Sequence, residues 1–265
     1  MSETLFKLQH LVREIAAEEV MPRFLAAEAC TKADGTTLSE ADLAAQAAFA
    51  RRLPELIDCP MLGEEMSEAE QRDLWLHNHQ GLWVVDPIDG TTNFVNGFPH
   101  FAVSVAYVRE GRSELAVIFN PVNGECFYAE RGGGAFLNGR RLPLVLRDKR
   151  LSRAMAAVEI KYLRSGKLSS RINTLSPVSS IRSLGSSTLD WCYLSAGRID
   201  VYLHGGQKLW DYAAGALIFQ EAGGLLDTLE GDDFWSGEHV FTRSVIAALH
   251  PDLFAAWVKW IRENQ

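Results

Sequence analysis

The sequence predicts a layered α/β fold, with an α+β N-terminal lobe and an α/β C-terminal lobe. Three patterns indicate this class. Apolar positions recur at helical spacing in the first fifty residues. β-prone segments joined by short turns then follow one another between residues 101 and 132, as in an antiparallel meander. From residue 154 onward, short apolar strands alternate with helical segments.

The N-terminal elements follow from local signals. Residues 4–29 have helical periodicity, and Pro22 predicts a kink or break within them. Ser39 is typical of a helix N-cap, and Asp42 three residues later completes a capping box. The three strands predicted for the meander are 101–108, 114–121 and 125–132.

The C-terminal half is expected to contain five strands and three helices. The strands are 154–160, 178–183, 198–203, 223–228 and 245–249, and the helices are 188–196, 212–222 and 251–264. We place the boundary in the basic segment 146–152, which gives lobes of residues 1–146 and 147–265. Within the wider basic run 140–153, the LPLVL segment predicts a strand with charged flanks rather than a site for an acidic partner.

Composition excludes several classes of protein. With 265 residues and 47% hydrophobic content, the chain can bury a large core. A net charge of −8 disfavours nonspecific nucleic-acid binding, which usually needs a basic surface. The four cysteines show no C-x-x-C spacing, and no apolar run approaches a membrane span. We expect a reduced, soluble, cytoplasmic protein, whose charged helical N-terminus does not resemble a signal peptide.

The nine-residue segment DPIDGTTNF, residues 86–94, follows the apolar run LWVV. Pro87 predicts the end of that strand, and Gly90 permits a turn, so that Asp86 and Asp89 can face one point. Two carboxylates suit Mg²⁺ because hard cations prefer oxygen ligands. The backbone N–H groups of Gly-Thr-Thr can face a phosphate. An ordinary exposed turn is the alternative, whereas an EF-hand is excluded because Gly97 occupies its twelfth position.

Two further acidic motifs lie elsewhere in the chain. Glu64 belongs to a Gly-Glu-Glu segment that could also be an ordinary solvated surface. Asp211 begins the helical segment LWDYAAGALIFQEAGG, which Gly223 is placed to end. Asp211 could also serve as a helix cap, and capping and metal binding can coexist.

Together these motifs resemble those of the inositol monophosphatase family of Mg²⁺-dependent, lithium-sensitive phosphatases. The resemblance also includes KADGTTLSEAD and LGSSTLDWCYLSAGRIDVYL, and it extends over nearly the whole chain. It implies the αβαβα sandwich of inositol monophosphatases and sugar phosphatases. It also implies hydrolysis of a small phosphorylated metabolite, with inositol 1-phosphate as the leading substrate. Histidinol phosphate, fructose 1,6-bisphosphate and 3′-phosphoadenosine 5′-phosphate are alternatives, as is a regulatory binding role, since some bacterial relatives act on transcription complexes.

The resemblance further implies two or three Mg²⁺ ions. Glu64, Asp86 and the carbonyl of Ile88 would hold one ion. Asp86, Asp89 and Asp211 would hold a second, and Glu64 can share a weaker third. Thr91 would orient the attacking water with Asp42 behind it, so that the implied catalytic residues are Glu64, Thr91 and Asp42.

The resemblance implies a substrate pocket as well. Its residues are Asp89, Gly90, Thr91, Ser186, Ser187, His204 and Asp211, with Lys161 as a further candidate. His204 occupies the position where inositol-specific members carry a glutamate that binds ring hydroxyls, and this departure argues against strict specificity for inositol phosphates. Relatives are commonly homodimers.

Other conspicuous residues have simpler interpretations. His77 and His79 predict a solvated loop because nothing nearby completes a metal site. Gly132-Gly133-Gly134 lacks the Lys-Ser/Thr of a nucleotide loop. Trp191 and Trp210 are expected in the core.

Overall fold

A computed structural model of the chain describes residues 2–25, 29–31, 37–147, 150–163, 166–235 and 240–265. Its strands form a seven-stranded sheet, a five-stranded sheet and a two-stranded hairpin. The helices are α1 (Glu3–Ile15), α2 (Glu40–Arg52), α3 (Glu68–His77), α4 (Thr91–Val95), α5 (Lys167–Thr174), α6 (Ser187–Ser195), α7 (Leu209–Glu221) and α8 (Pro251–Asn264).

The hairpin pairs β1 (Ala29–Thr31) with β2 (Thr37–Ser39). The seven-stranded sheet has the order β3-β4-β5-β6-β7-β8-β9, and every pair except β3–β4 is antiparallel. The predicted meander is therefore confirmed as β5, β6 and β7. The strands of this sheet are β3 (Met61–Gly63), β4 (Leu82–Asp89), β5 (Ala102–Arg109), β6 (Arg112–Asn120), β7 (Glu125–Glu130), β8 (Gly134–Leu137) and β9 (Arg140–Arg141).

The five-stranded sheet has the order β11-β10-β12-β14-β13. β10 pairs in parallel with both of its neighbours, whereas β14 pairs antiparallel with β12 and β13. The five strands and three helices predicted for the C-terminal half are all present, with shifted ends. These strands are β10 (Met155–Glu159), β11 (Ser180–Arg182), β12 (Val201–Gln207), β13 (Leu225–Asp227) and β14 (Arg243–Ala248).

Three buried clusters hold five layers together, and the second of them includes the central helical layer itself. The first lies between α1, α2 and one face of the seven-stranded sheet, through residues such as Val103 and Val105. The second fills the space between the two sheets, where α6 and α7 pack, and it includes Trp191 and Trp210 as predicted. The third lies between the five-stranded sheet and α5 and α8. The order is helices, sheet, helices, sheet, helices, which is the expected αβαβα sandwich.

The division into lobes stays a prediction. All strands of the seven-stranded sheet precede residue 146, and all strands of the five-stranded sheet follow it. The helices α6 and α7 nevertheless share one core with both sheets. Across the described helices, none combines the length and the apolar composition that crossing a membrane requires.

Three predictions of local structure are wrong. The N-terminal helical pattern was expected to reach residue 29, but α1 passes into a π-helical turn (Ala16–Val20) and a 3₁₀ turn (Met21–Arg23) that contains Pro22. Phe24 has extended ψ, and Ala29 already belongs to β1. The break predicted at Pro22 is confirmed, because proline lacks the N–H that a continuing helix requires.

The LPLVL segment forms no strand, and pairing ends with β9 at Arg141. Pro143 cannot donate to a ladder, which explains the loss of strand structure at this place. The third error concerns Pro87, which does not end β4. That strand continues to Asp89 through an irregularity in its pairing with β5.

The minor interpretations agree with the structure except that His77, expected in a loop, lies in a helix. His77 lies in the last turn of α3 with an exposed side chain, and His79 is exposed in the loop that follows. The amides of Gly132 and Gly134 both donate to the carboxylate of Glu221, at 2.7 Å each, so that a protein side chain occupies this glycine turn.

Candidate functional site

The irregularity in β4 brings two aspartates to the same face of the sheet. Asp86 pairs with Ser104 and Asp89 pairs with Ala102, so three steps along β4 match two steps along β5. Side chains alternate along a regular strand, and residues three apart would point to opposite faces. The extra residue of this bulge cancels that alternation. Both carboxylates therefore face the layer that contains α6 and α7.

The third aspartate comes from the start of α7. The backbone N–H of Lys208 donates to Asp211 Oδ2 at 2.9 Å, so the predicted capping role is real. A carboxylate oxygen from each of Asp86, Asp89 and Asp211 lies within 4.8 Å of the other two. Residues 125 positions apart in the sequence thus meet at one point.

Glu64 approaches this cluster along the edge of the sheet. Its N–H donates to the carbonyl of Val85 at 3.2 Å, which continues the β3–β4 pairing up to the residue before Asp86. The charge of Glu64 is also among the causes that raise the pKa of Asp86. The two acidic motifs are therefore neighbours in space, as the motif analysis predicted.

Burial and mutual repulsion dominate the electrostatics of the cluster. Burial raises the pKa of Asp86 well above its usual range, and the charges of Glu64, Asp89, Asp211 and Asp42 raise it further. Burial also raises the pKa of Asp89, although hydrogen bonds from Ser186 and Thr188 oppose that shift. Several carboxylates at one buried point disfavour their own ionisation unless a cation compensates them.

The donor set fits a hard divalent cation. All three clustered side chains are carboxylates, and oxygen ligands are those that Mg²⁺, Ca²⁺ and Mn²⁺ prefer. Asp86 and Asp89 are 1% and 8% exposed, so an ion held between them would be largely shielded from solvent. The acidic cluster can therefore hold a metal ion.

Thr91 and Asp42 lie beside the cluster. Asp42 Oδ2 accepts from the N–H and the hydroxyl of Ser39, at 2.8 and 2.7 Å, which is the predicted capping interaction. Thr91 Oγ1 lies 3.0 Å from the carbonyl of Ile88 and 3.4 Å from Asp42 Oδ1. Thr91 carries one hydroxyl proton, so it donates to only one of these two oxygens at a time.

Gly90 links the bulge to α4. Its φ of 93° is in the left-handed region, and an added Cβ would lie 3.1 Å from the carbonyl oxygens of Gly185 and His100. A side chain at this position would meet both strain and close contact. The glycine therefore lets the chain turn directly from Asp89 into α4.

The N-terminus of α6 holds Asp89 in place. Asp89 Oδ2 accepts from Ser186 Oγ (2.5 Å), Thr188 N (2.8 Å) and Thr188 Oγ1 (2.6 Å). Ser186 was predicted to bind substrate, and its hydroxyl is already engaged by Asp89. Sequence reasoning missed Thr188, although a run of Ser and Thr at a helix start is a recognisable sign of anion-binding capacity.

Asn93 is a second residue that the motif analysis did not single out. Its side-chain amide donates to the carbonyls of His100 (2.7 Å) and Leu184 (2.8 Å). Asn93 thereby ties the loop before α6 to the loop before β5. This bridge holds the Ser186–Thr188 segment over Asp89.

His204 and Lys161 were predicted at the substrate pocket. His204 is 1% exposed on β12, and its Nδ1 accepts from the N–H of Gly206 at 3.1 Å. Ser187 opens α6 next to Ser186. The side chain of Lys161 and the segment 32–36 of the KADGTTLSEAD motif lie outside the described residues.

Comparison with known proteins places this architecture in a family. The model of the inositol monophosphatase family matches residues 1–265. An inositol-1-monophosphatase from Rhizobium meliloti (strain 1021) is 44% identical over 174 residues. These residues cover 64% of this chain and 63% of that protein, so the match spans less than two thirds of the relative's length. The Nus factor SuhB of Escherichia coli (strain K12) is 34% identical over 245 residues, which cover 90% of this chain and 87% of that protein.

A solved structure shows the same fold over the full length. An IMPase from Thermotoga maritima superposes with a TM-score of 0.81 at 28% identity, and the match covers 100% of both chains. With the family match and the layered architecture, this agreement leads to one conclusion. The chain belongs to the inositol monophosphatase family.

Proposed function

We propose that this protein is a Mg²⁺-dependent phosphate monoester hydrolase whose leading substrate is inositol 1-phosphate. The observation that supports it most is the convergence of Asp86, Asp89 and Asp211, three carboxylates within 4.8 Å of one another. Burying several like charges at one point costs free energy, and a bound cation would offset that cost. Such clusters are typical of functional sites. The family match and the relative named inositol-1-monophosphatase support the same assignment.

The proposed ion ligands are those that the motifs predicted. Glu64, Asp86 and the carbonyl of Ile88 would hold one Mg²⁺. Asp86, Asp89 and Asp211 would hold another, and Glu64 can share a third. When bound, such ions lower the pKa of an attacking water and place positive charge beside a phosphate dianion and its leaving oxygen.

Thr91 and Asp42 are proposed to handle the attacking water. A neutral threonine hydroxyl is too poor a base to deprotonate water on its own. In this proposal Thr91 therefore positions the water and relays its proton. Asp42 Oδ1 lies 3.4 Å from the Thr91 hydroxyl and is the proposed acceptor of that proton. The Ser39 contacts to Oδ2 fix the orientation of the Asp42 carboxylate.

The proposed substrate contacts surround this centre. The amides of Gly90 and Thr91 would bind phosphate oxygens, because N–H groups at the start of a turn suit an anion. Asp89, Asp211, Ser186, Ser187 and His204 would line the rest of the pocket. A homodimer, common among relatives, also stays a prediction.

A panel assay tests the proposal. Phosphate release would be measured on inositol 1-phosphate, histidinol phosphate, fructose 1,6-bisphosphate and 3′-phosphoadenosine 5′-phosphate, with Mg²⁺ or with EDTA. We expect hydrolysis of at least one substrate, dependent on Mg²⁺ and inhibited by lithium. No release from any member of the panel would contradict the proposal.

A regulatory binding role is the second candidate function. It is supported by the relative named Nus factor SuhB, which is 34% identical over most of both chains. The two functions separate in the Asp86→Asn variant. Capture of a transcription-complex protein that persists in this variant, without hydrolysis by the unsubstituted protein, would favour the second candidate.

A further inference from the structure

The segment that carries Glu64 is held by a buried glutamine on α3. Gln71 is 4% exposed, and it is the one buried side chain of that helix. Its Nε2 donates to the carbonyl of Gly63 at 3.0 Å and to the carbonyl of Glu64 at 3.1 Å. Both amide protons of the side chain are therefore used on two consecutive peptide groups.

A second glutamine holds the same segment from the other side. Gln46 Oε1, on α2, accepts from the N–H of Glu65 at 3.0 Å. A Cβ added to Gly63 would lie 2.2 Å from this oxygen, so the close approach depends on glycine. The N–H of Glu64 donates to Val85, as described above. The N–H and the C=O of both peptide groups that flank Glu64 therefore have hydrogen-bond partners.

The position of Gln71 is itself fixed by the start of α3. Glu70 Oε2 accepts from the N–H of Ser67 at 2.9 Å and from its hydroxyl at 2.6 Å, which forms a capping box. The N–H of Gln71 donates to the carbonyl of Ser67 at 3.0 Å. The Gln71 side chain therefore reaches back from a defined first turn to the residues before the helix.

We propose that Gln71 is a positioning residue for divalent-cation binding, with Gln46 supporting the opposite side of the segment. Gln71 fixes the peptide group of Glu64 and so directs the Glu64 carboxylate toward Asp86. This inference rests on the proposed function, since it assigns Glu64 to an ion. It adds residues that the motifs do not include.

A purely structural role and a positioning role predict different results. A buried glutamine that only satisfies two carbonyls would, when replaced, lower the stability of the fold and leave ion affinity unchanged. A positioning residue acts through Glu64, so its removal has no further effect once the Glu64 carboxylate is gone. A double-mutant cycle separates the two roles.

The experiment measures equilibrium Mn²⁺ binding to the metal-stripped full chain, with free Mn²⁺ followed by electron paramagnetic resonance and no substrate present. The variants are Gln71→Leu, Glu64→Gln and the double variant. Gln9→Leu is the matched control, because the Gln9 amide also donates to a backbone carbonyl (Leu5, 3.3 Å) but lies on α1. Asp86→Asn reports on the proposed function itself.

We expect Gln71→Leu to weaken Mn²⁺ binding about 10-fold or more, as outer contacts of metal ligands commonly do. Glu64→Gln should weaken the same binding event, the double variant should be no weaker than Glu64→Gln, and Gln9→Leu should match the unsubstituted protein. If Gln71→Leu does not fold, Gln71→Asn keeps the amide but is one methylene too short to reach both carbonyls, and the same loss is expected.

Two results would overturn the inference. One is unchanged Mn²⁺ affinity in a folded Gln71 variant, and the other is full additivity of the two losses. These differ from failure of the proposed function, in which the unsubstituted protein binds no Mn²⁺ or Asp86→Asn leaves its affinity unchanged.

Discussion

At the scale of single residues, Asp86 combines deep burial with four acidic neighbours. It is 1% exposed, and four other carboxylates raise its pKa. A residue in this position has two opposing effects. It destabilises the metal-free fold when ionised, and it supplies the charge that a cation would need.

The variant Asp86→Asn should separate these effects. Hydrolysis should fall by about 10³-fold or more, because several kcal/mol of charge stabilisation would be lost. The metal-free protein should unfold at a higher temperature, because one buried negative charge is gone. Steady-state kinetics with Mg²⁺ and thermal unfolding in EDTA measure the two quantities, and a variant with unaltered hydrolysis would contradict the assignment.

Thr91 allows a test with two small substitutions, one that removes its hydroxyl and one that keeps it. Thr91→Val removes the hydroxyl near Asp42 and should lower kcat by about 100-fold, which is the usual scale for a general acid–base contact. Thr91→Ser keeps the hydroxyl and should retain most of the activity. KM should change little in both variants, and equal activity in the two would exclude a role for the hydroxyl.

At the scale of secondary-structure elements, the N-terminus of α6 is the main support of Asp89. Three hydrogen bonds from this helix converge on one oxygen of the carboxylate. They oppose the effect of burial on the pKa of Asp89. The helix start thus keeps Asp89 closer to its ionised form than burial alone would.

The variant Thr188→Val should weaken divalent-ion binding and lower stability by about 1–3 kcal/mol, the usual cost when a buried charged acceptor loses a partner. Thr174→Val is a suitable control, because Thr174 Oγ1 also donates a hydrogen bond, but to the backbone carbonyl of Ser170 at the exposed end of α5 rather than to a carboxylate. Calorimetric titration with Mg²⁺ and chemical denaturation provide the measurements. Equal ion affinity in the two variants would show that α6 does not prepare Asp89.

The helices and strands also show how much of the fold the sequence alone could predict. Local signals were sufficient for α6, α7, the meander and the Asp86–Asp89 motif, because periodicity, caps and turn residues act over a few positions. The bulge in β4 was missed, since a proline inside an apolar run usually indicates a strand end and only pairing with β5 reveals otherwise.

The supporting residues were missed for a related reason. Thr188 and Asp89 are 99 positions apart, and Asn93 and Leu184 are 91 apart. No local pattern connects such pairs, and family motifs identify ligands more readily than the side chains that orient them. Gln71 is closer in sequence to Glu64, but a polar residue on a mostly polar helix gives no sign of burial.

At the scale of the whole molecule, the site lies between the two sheets. Asp86 and Asp89 come from the seven-stranded sheet, while Asp211 and the α6 start come from the helical layer packed against it. Ion binding should therefore add a further connection between layers that already meet through apolar packing and through the hydrogen bonds of Asp89 and Glu221. The stability of the entire fold becomes linked to cation concentration and to pH.

The pH dependence has a definite sign. Asp86 and Asp89 have raised pKa values in the folded state, so the stability associated with their protonated forms is complete below their unfolded pKa near 3.8 and is lost as pH rises through the folded values. Under the proposed function, Mg²⁺ would compete with those protons for the same carboxylates. The increase in Tm caused by Mg²⁺ should be larger at pH 8 than at pH 5.5, which scanning calorimetry with Mg²⁺ or EDTA can measure.

Asp86→Asn provides the comparison for that experiment. The variant should show a smaller Mg²⁺-dependent increase in Tm at both pH values, because an amide does not titrate and is a weaker cation ligand. An Mg²⁺ effect that decreased from pH 5.5 to pH 8 would be inconsistent with the proposed carboxylate ligands.

The hydrogen bonds of Glu221 bear on where the chain tolerates engineering. Gly132 and Gly133 form an exposed hairpin tip before the buried Gly134, and exposed glycine-rich tips are usual places for a peptide tag or a fluorescent label. The amides of Gly132 and Gly134, however, donate to the carboxylate of Glu221 at the C-terminal end of α7, the helix whose first turn carries Asp211. An insertion between Gly132 and Gly134 would separate these two amides, and Glu221 at the end of α7 would lose one or both of its hydrogen-bond donors.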